Sequence, residues 1–297
     1  MNTPPWLDTT LYPFSVHEWK TPEGTMRYVD EGRGPQTIVL VHGTPTWSFM
    51  YRDLIAALST QYRVVVPDHL GFGLSDKPGD GAYRPADHAR RLSAFIEHLG
   101  LKDIALGVHD FGGPIGLSYA VAHPDNVKKL ILFNTWMWSL ADDPSIVKGS
   151  RMLGGGLGRF LYRWLNASPR FLLTSMWKNT ATLTPHIHQH YLKAFGTRDE
   201  RVAPWVFARE LIGSGDWYDA LWQRRDRIQD TPALLAWGMR DPGFNERYLE
   251  RWQGALPHAE VARFADAGHF VPEEAGAEVI QRVNAFLKAG PPTQTLS

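Results

Sequence analysis

Short, continuous apolar runs rich in β-branched residues recur along the chain and alternate with stretches of helical periodicity. TIVLVH (Thr37–His42), RVVVP (Arg63–Pro67), IALGVH (Ile104–His109), LILF (Leu130–Phe133) and ALLAW (Ala233–Trp237) lack polar alternation. Both faces of such strands must be covered. Parallel neighbours need long crossover connections, and helices supply both the crossovers and the cover. Helical patterns over Met50–Ser59, Pro85–Leu99 and Ile115–Ala122 fall between the runs. VARF (Val261–Phe264) reads as a shorter strand and Glu274–Lys288 as a closing helix, while SVHEW and TMRYVDEG near the start read as a hairpin. The expected class is α/β with a mostly parallel sheet.

Between Phe133 and Pro232 the rhythm breaks, with no convincing strand. Helical patterns, GGGLG (Gly154–Gly158) and seven of the chain's 12 Trp residues lie there. The stretch reads as a helical insertion, a cap over residues 134–214, with 1–133 and 215–297 forming the core. Most of these Trp residues are expected to glue the insertion to the sheet. Trp136, Trp138, Trp164 and Tyr218 are candidates for the wall of an apolar pocket at the junction, where ligand sites form.

Composition narrows the function classes. At 297 residues, 43% hydrophobic and 21% charged, the chain can bury a sizeable core. Lys plus Arg equals Asp plus Glu at 31 each, which gives no support to nucleic-acid or acidic-membrane binding. Cysteine is absent, so thiolate nucleophiles, disulfides and Cys metal sites are excluded. The N-terminal segment has no positive region followed by an apolar run, and no apolar stretch reaches the ~20 residues that span a bilayer. A cytoplasmic protein without membrane or nucleic-acid partners is expected. The tail from Gly290 reads as disordered.

The segment GVHDFGGPIG carries the chemistry. Asp110 follows an apolar strand and is followed at once by two glycines and Pro114. Small neighbours permit a sharp turn, and Pro fits the first helical turn. The helix amides then face the carboxylate and stabilise an anion there. This is the layout of a nucleophile elbow with Asp in the slot usually held by Ser. Asp241 in WGMRDPGF follows the strand ALLAW, and His269 in ADAGHF follows VARF. The order nucleophile, acid, His is that of α/β-hydrolases. Each residue alone has a plainer reading, as a turn former, a helix cap or a hydrogen-bonded loop His; together, in order and each after a strand, they point to a triad. His42 and His109 read as supporting residues, and DHLGFGLSD (Asp68–Asp76) as a structural brace. GGGLG follows no strand and is not read as a nucleotide loop. His186 and His190 in HIHQHY sit at helical spacing without a third ligand and read as a solvated face.

On VHGTPTWSF, DHLGFGLSD, VHDFGGPIG, WGMRDP and DAGHF, the chain resembles the α/β-hydrolase superfamily over nearly its whole length, and within it the haloalkane dehalogenases. The resemblance implies that Asp110 displaces halide from saturated carbon to give an alkyl-enzyme ester. His269 activates the water that hydrolyses it, and Asp241 orients the imidazole. The backbone N–H groups of Thr44 and Phe111 are expected to form the oxyanion hole. No metal or organic cofactor is implied; the partners are a small apolar electrophile and water.

Two positions depart from the family pattern. Dehalogenases usually hold the halide with a Trp immediately after the nucleophile and often an Asn in the HGxP segment; here these are Phe111 and Thr44. Other chemistries on the same triad therefore stay open. An epoxide hydrolase needs acidic hydroxyls, for which Tyr218 and either Tyr162 or Tyr191 are candidates. A β-lactone decarboxylase needs no halide donors. A ligand-binding receptor of the same fold is the non-enzymatic alternative, and the complete triad argues against it.

Overall fold

The computed structural model describes residues 3–289. The tail from Gly290, read as disordered, lies outside the described residues.

Eight strands form one sheet in the order β1-β2-β4-β3-β5-β6-β7-β8. β1 (Val16–Thr21) and β2 (Gly24–Glu31) make the expected hairpin. β2 also pairs antiparallel with β4 (Arg63–Asp68). From there β3 (Thr37–Val41), β5 (Ile104–Asp110), β6 (Val127–Thr135), β7 (Ala233–Gly238) and β8 (Glu260–Phe264) all run parallel. Every residue of β3, β5 and β7 is buried, as continuous apolar strands between two helical layers must be.

The crossover and flanking helices in the first half are α1 (Arg52–Leu58), α2 (Pro85–His98) and α3 (Gly112–Ala122). α3 begins three residues before the apolar pattern that announces it, because Gly112 and Gly113 already form its first turn. No strand occurs between β6 and β7. Six α-helices lie there: α4 (Pro144–Gly154), α5 (Gly156–Leu165), α6 (Leu173–Met176), α7 (Pro185–Lys193), α8 (Val202–Gly213) and α9 (Gly215–Trp222). GGGLG breaks α4 from α5, which is its structural use. Beyond β7 come α10 (Glu246–Ala255), α11 (Val271–Glu274) and α12 (Gly276–Lys288). The closing helix expected over Glu274–Lys288 is α12, which starts two residues later because Glu274 ends α11 and Ala275 separates the two. Among the described residues, no helix is long and apolar enough to cross a membrane.

This topology sends β5, β7 and β8 out of the sheet at the same edge. Their C-terminal ends carry Asp110, Asp241 and His269 respectively, so residues 159 positions apart in sequence meet in one crevice.

Candidate active site

Asp110 is the last residue of β5 and takes a positive φ of 52°, a conformation that costs a non-glycine residue of order 1–2 kcal/mol. The surroundings enforce it. The Thr135 hydroxyl donates to the Asp110 carbonyl (2.6 Å), and α3 starts at the next residue but one. A Cβ at Gly113 would overlap the Thr135 hydroxyl, and one at Gly43 would overlap the Asp110 carboxylate. Both glycines are therefore close-approach positions beside the elbow.

The carboxylate is nearly buried. Its Oδ1 accepts the Thr44 backbone N–H at 2.8 Å, and its Oδ2 lies 3.5 Å from His269 Nε2. On the far side of the ring, His269 Nδ1 donates to Asp241 Oδ2 at 2.7 Å. Asp110, His269 and Asp241 thus stand in a line, with one ring nitrogen committed to each carboxylate. Burial pushes the imidazole toward neutrality, but the adjoining Asp241 and Asp110 outweigh it and raise its pKa to about 10. Burial works on Asp241 in the opposite sense, and the His269 charge with hydrogen bonds from His269, Gly243 and Asn134 holds it below the usual carboxylate range.

Around this line stands a buried frame that the residue patterns revealed only in part. Asn134, at the end of β6 with φ of 22°, accepts the Gly238 N–H (2.8 Å) and donates to Asp241 Oδ2 (2.9 Å). Glu274 accepts four backbone N–H groups, from Gly268 and Phe270 on the two sides of His269 and from Lys178 and Asn179. One carboxylate thereby pins the His loop to the chain between α6 and α7. His109 Nε2 meets the His269 carbonyl at 2.8 Å, and burial with the neighbouring His269 charge lowers its pKa to about 3. It is a neutral donor, consistent with a supporting role. His42 spans Gly43 and His69 through its two ring nitrogens, and Asp68 accepts the Ser48 and Leu74 amides. The bracing expected of DHLGFGLSD is therefore present. The one sequence signal for Asn134 and Glu274 is a polar residue closing an apolar strand and an acid within a turn of the His, and neither is distinctive.

A cavity of about 300 Å³ opens onto the triad. Asp110, His269, Thr44 and Phe111 meet it from the sheet side, with Pro45, Phe244 and Phe270. Ile146 and Leu153 of α4, Tyr162 of α5, Leu173 and Met176 of α6, and Ala208 and Leu211 of α8 close it from above. The wall is mainly apolar. The Thr44 hydroxyl is buried without a partner.

None of the four aromatic residues expected at the pocket lines this cavity. Trp136 is fully buried behind Phe111, edge-on at 4.9 Å, with its Nε1–H unpartnered. Trp138 packs between Trp222, Tyr248 and Trp252 under the Arg251 guanidinium. The Tyr218 hydroxyl donates to the Glu210 carbonyl (3.0 Å). Trp164 is 56% exposed on the outer side of α5. Three sit inside the packing and one faces solvent, because helical spacing fixes which residues share a face but not which way that face turns. Tyr162 does line the cavity, whereas the Tyr191 hydroxyl is bonded to Glu273. Among the described residues no cluster of three His, Cys, Asp or Glu could hold a metal.

Comparison with known proteins agrees with this fold. A family model described as the alpha/beta hydrolase fold matches residues 36–275. The chain is 32% identical to a cis-3-alkyl-4-alkyloxetan-2-one decarboxylase of Shewanella oneidensis, over 97% of this chain and 92% of that protein. It is equally 32% identical to haloalkane dehalogenase 2 of Mycobacterium tuberculosis, over 93% of this chain and 97% of that protein. Among solved structures, the haloalkane dehalogenase of Agrobacterium tumefaciens superposes with a TM-score of 0.81 at 24% identity, covering 92% of this chain and 96% of that one.

Proposed function

The chain belongs to the α/β-hydrolase family, as a haloalkane dehalogenase-like enzyme, and from that premise we propose that it cleaves carbon–halogen bonds through an ester on Asp110. The observation that carries this reading is a carboxylate on a strained elbow, in line with His269 and Asp241, at the floor of an apolar cavity. Asp110 Oδ2 attacks the halogen-bearing carbon, the carbon–halogen bond breaks with its electron pair leaving on the halide, and a neutral alkyl ester remains. An apolar cavity strips water from the carboxylate and so favours attack.

Esterification removes one of the two anions flanking His269. The imidazole pKa then falls, so the ring can take a proton from water while Asp241 stabilises the imidazolium. The hydroxide equivalent adds to the ester carbonyl. The Thr44 N–H, already 2.8 Å from Asp110 Oδ1, donates to the developing oxyanion together with the Phe111 N–H. Collapse expels the alkoxide, which takes the imidazolium proton and leaves as alcohol, and the remaining carboxyl proton passes to water as the carboxylate is restored. With Phe111 lacking an N–H on its side chain, the unpartnered Thr44 hydroxyl is the donor we assign to the departing halide. We take residues 134–214 as the cap, on a core of 1–133 and 215–297, and place the enzyme in the cytoplasm as the sequence reading expects.

One observation favours a second reading. Apart from His269, no side chain lining the cavity offers an N–H to a leaving anion. A β-lactone supplies its own tethered leaving group. Asp110 would open the ring at its alkoxy-bearing carbon, leaving a β-carboxylate. Loss of CO2 would then send the electron pair into a C=C bond and expel Asp110. The epoxide reading has less support, since Tyr162 faces the cavity while the Tyr191 and Tyr218 hydroxyls are engaged elsewhere.

The test is bromide release from bromoalkanes, with Asp110→Asn as blank and His269→Gln to accumulate the ester for mass spectrometry. Halide release, with 18O from labelled water entering Asp110 in a single turnover and the alcohol only in later ones, supports dehalogenation through the ester. Alkene and CO2 from a dialkyl β-lactone, with no label and no halide release, would replace it with the second reading.

A further inference from the structure

Six large hydrophobic side chains are exposed among the described residues: Met152, Leu157, Phe160, Trp164, Leu165 and Phe171. All fall within 20 residues, on the outer side of α4, α5 and the turn that follows. Leu157, Phe160 and Trp164 stand at i, i+3 and i+7 of α5, which puts them in one stripe. The Phe160 and Trp164 rings stack at 6.0 Å, and the Arg198 guanidinium lies 4.0 Å over Trp164. Scattered exposed apolar residues are ordinary, but a contiguous set is not.

The segment that carries this stripe is equally uneven in charge, although Arg163 of α5 is ion-paired with Asp199 just beyond it. From Pro144 to Arg198 the sequence has eight Lys and Arg residues and no Asp or Glu. Taking these eight from the 31 cations leaves 23 against 31 anions, so the rest of the chain carries a formal −8. The zero net charge, from which no membrane partner was expected, averages over this division. Lys148, Arg151 and Arg170 are exposed beside the apolar residues.

We propose that the outer face of α4 and α5 docks on an anionic lipid bilayer surface. An amphipathic helix with Trp, Phe and Leu on one side and arginines beside them lies in the plane of a lipid interface, its apolar stripe entering the headgroup boundary. Anionic headgroups complement the cationic segment, and the −8 remainder turns the sheet away from them. The same complementarity disfavours a second copy on this face, since two such segments would repel. The inner sides of α4 and α5 supply Ile146, Leu153 and Tyr162 to the cavity, so one pair of helices separates bilayer from active site. The inference rests on the surface alone and stands whichever reaction the triad performs.

The test is co-sedimentation of the full chain with vesicles of phosphatidylcholine, alone or mixed with phosphatidylglycerol. The expected result is binding that requires phosphatidylglycerol and is lost at high salt. Phe160→Ser with Trp164→Ser lowers the partition coefficient at least about tenfold, and Arg151→Ala with Arg170→Ala by about fivefold per cation, with melting temperatures unmoved. Wild-type protein that stays in the supernatant with phosphatidylglycerol vesicles at low salt overturns the proposal. So does vesicle binding undiminished in both variants. A dimer in sedimentation velocity that Trp164→Ser abolishes would instead assign the face to a second copy.

Discussion

At the ends of β5, β6, β7 and β8 the active site is held by buried hydrogen bonds: Thr135 and Thr44 on Asp110, Asn134 on Asp241, Glu274 and His109 on the His269 loop. Across the cavity, α4, α5, α6 and α8 meet the same space with Ile146, Leu153, Tyr162, Leu173, Met176, Ala208 and Leu211. One wall positions atoms by directional bonds, and the other encloses space by contact. Displacement at carbon needs both: a carboxylate fixed to a few tenths of an ångström, and a dry chamber of adaptable shape. The difference teaches where substitutions should be costly. On the sheet side they alter chemistry, and on the helical side they alter shape and surface.

The largest effect should come from the sheet side. Asp110→Asn keeps an oxygen for the Thr44 N–H yet removes the proposed nucleophile, so kcat should fall on the order of 10⁴-fold or more, read as product release, with the melting temperature little changed. Comparable loss from a substitution on the helical wall would break the comparison. Glu274→Ala should come next. It strips the acceptor from two fully buried amides, Gly268 and Phe270, and from two partly buried ones, and should cost about 3 kcal/mol in urea unfolding.

Asn134→Ala sharpens the distinction between touching substrate and positioning the triad. It removes a hydrogen bond to the Asp241 carboxylate, worth about 1.5–3 kcal/mol, so kcat should drop by about ten- to a hundredfold. KM should hold, since Asn134 does not line the cavity, and a rise in KM with kcat intact would sink that assignment.

The titration of the triad gives a signed prediction. His269 is raised from 6.5 to about 10 in the fold, so the stability it contributes is fully present below pH 6.5 and is lost as pH rises through about 10. Asp241 is lowered, so its contribution is present above the unfolded carboxylate value and is lost as pH falls through the folded one. Thermal unfolding from pH 6 to 10 should show the alkaline decline in wild type and not in His269→Gln. The smallest effect belongs to the outer cap: Trp164→Ser should move stability by less than about 0.5 kcal/mol, because the ring covers no core.

Much of this was legible before any coordinates. Asp110, Asp241 and His269 announce themselves because each follows an apolar run with a small residue or Pro nearby, and strand-end turns must be built that way. Asn134 and Glu274 were not legible, since a lone Asn or Glu looks the same whether it faces water or the backbone of a loop a hundred residues away. The four aromatic residues proposed for the pocket show the same limit from the other side. Their apolar character predicts burial or contact, but Trp136, Trp138 and Tyr218 found it inside the packing and Trp164 on the surface.

What the amino-acid sequence determined by itself was local and periodic: strands covered on both faces, a sharp elbow, and the order of nucleophile, acid and His. These follow from steric and solvation rules acting over a few residues. What only the tertiary structure decided was everything that depends on which faces meet: the 3.5 Å between Asp110 and His269, the Glu274 clamp, the identity of the cavity wall, and the apolar stripe of α5 turned outward. Helical and strand periods fix which residues share a side. The direction that side turns is set by packing against elements distant in the chain.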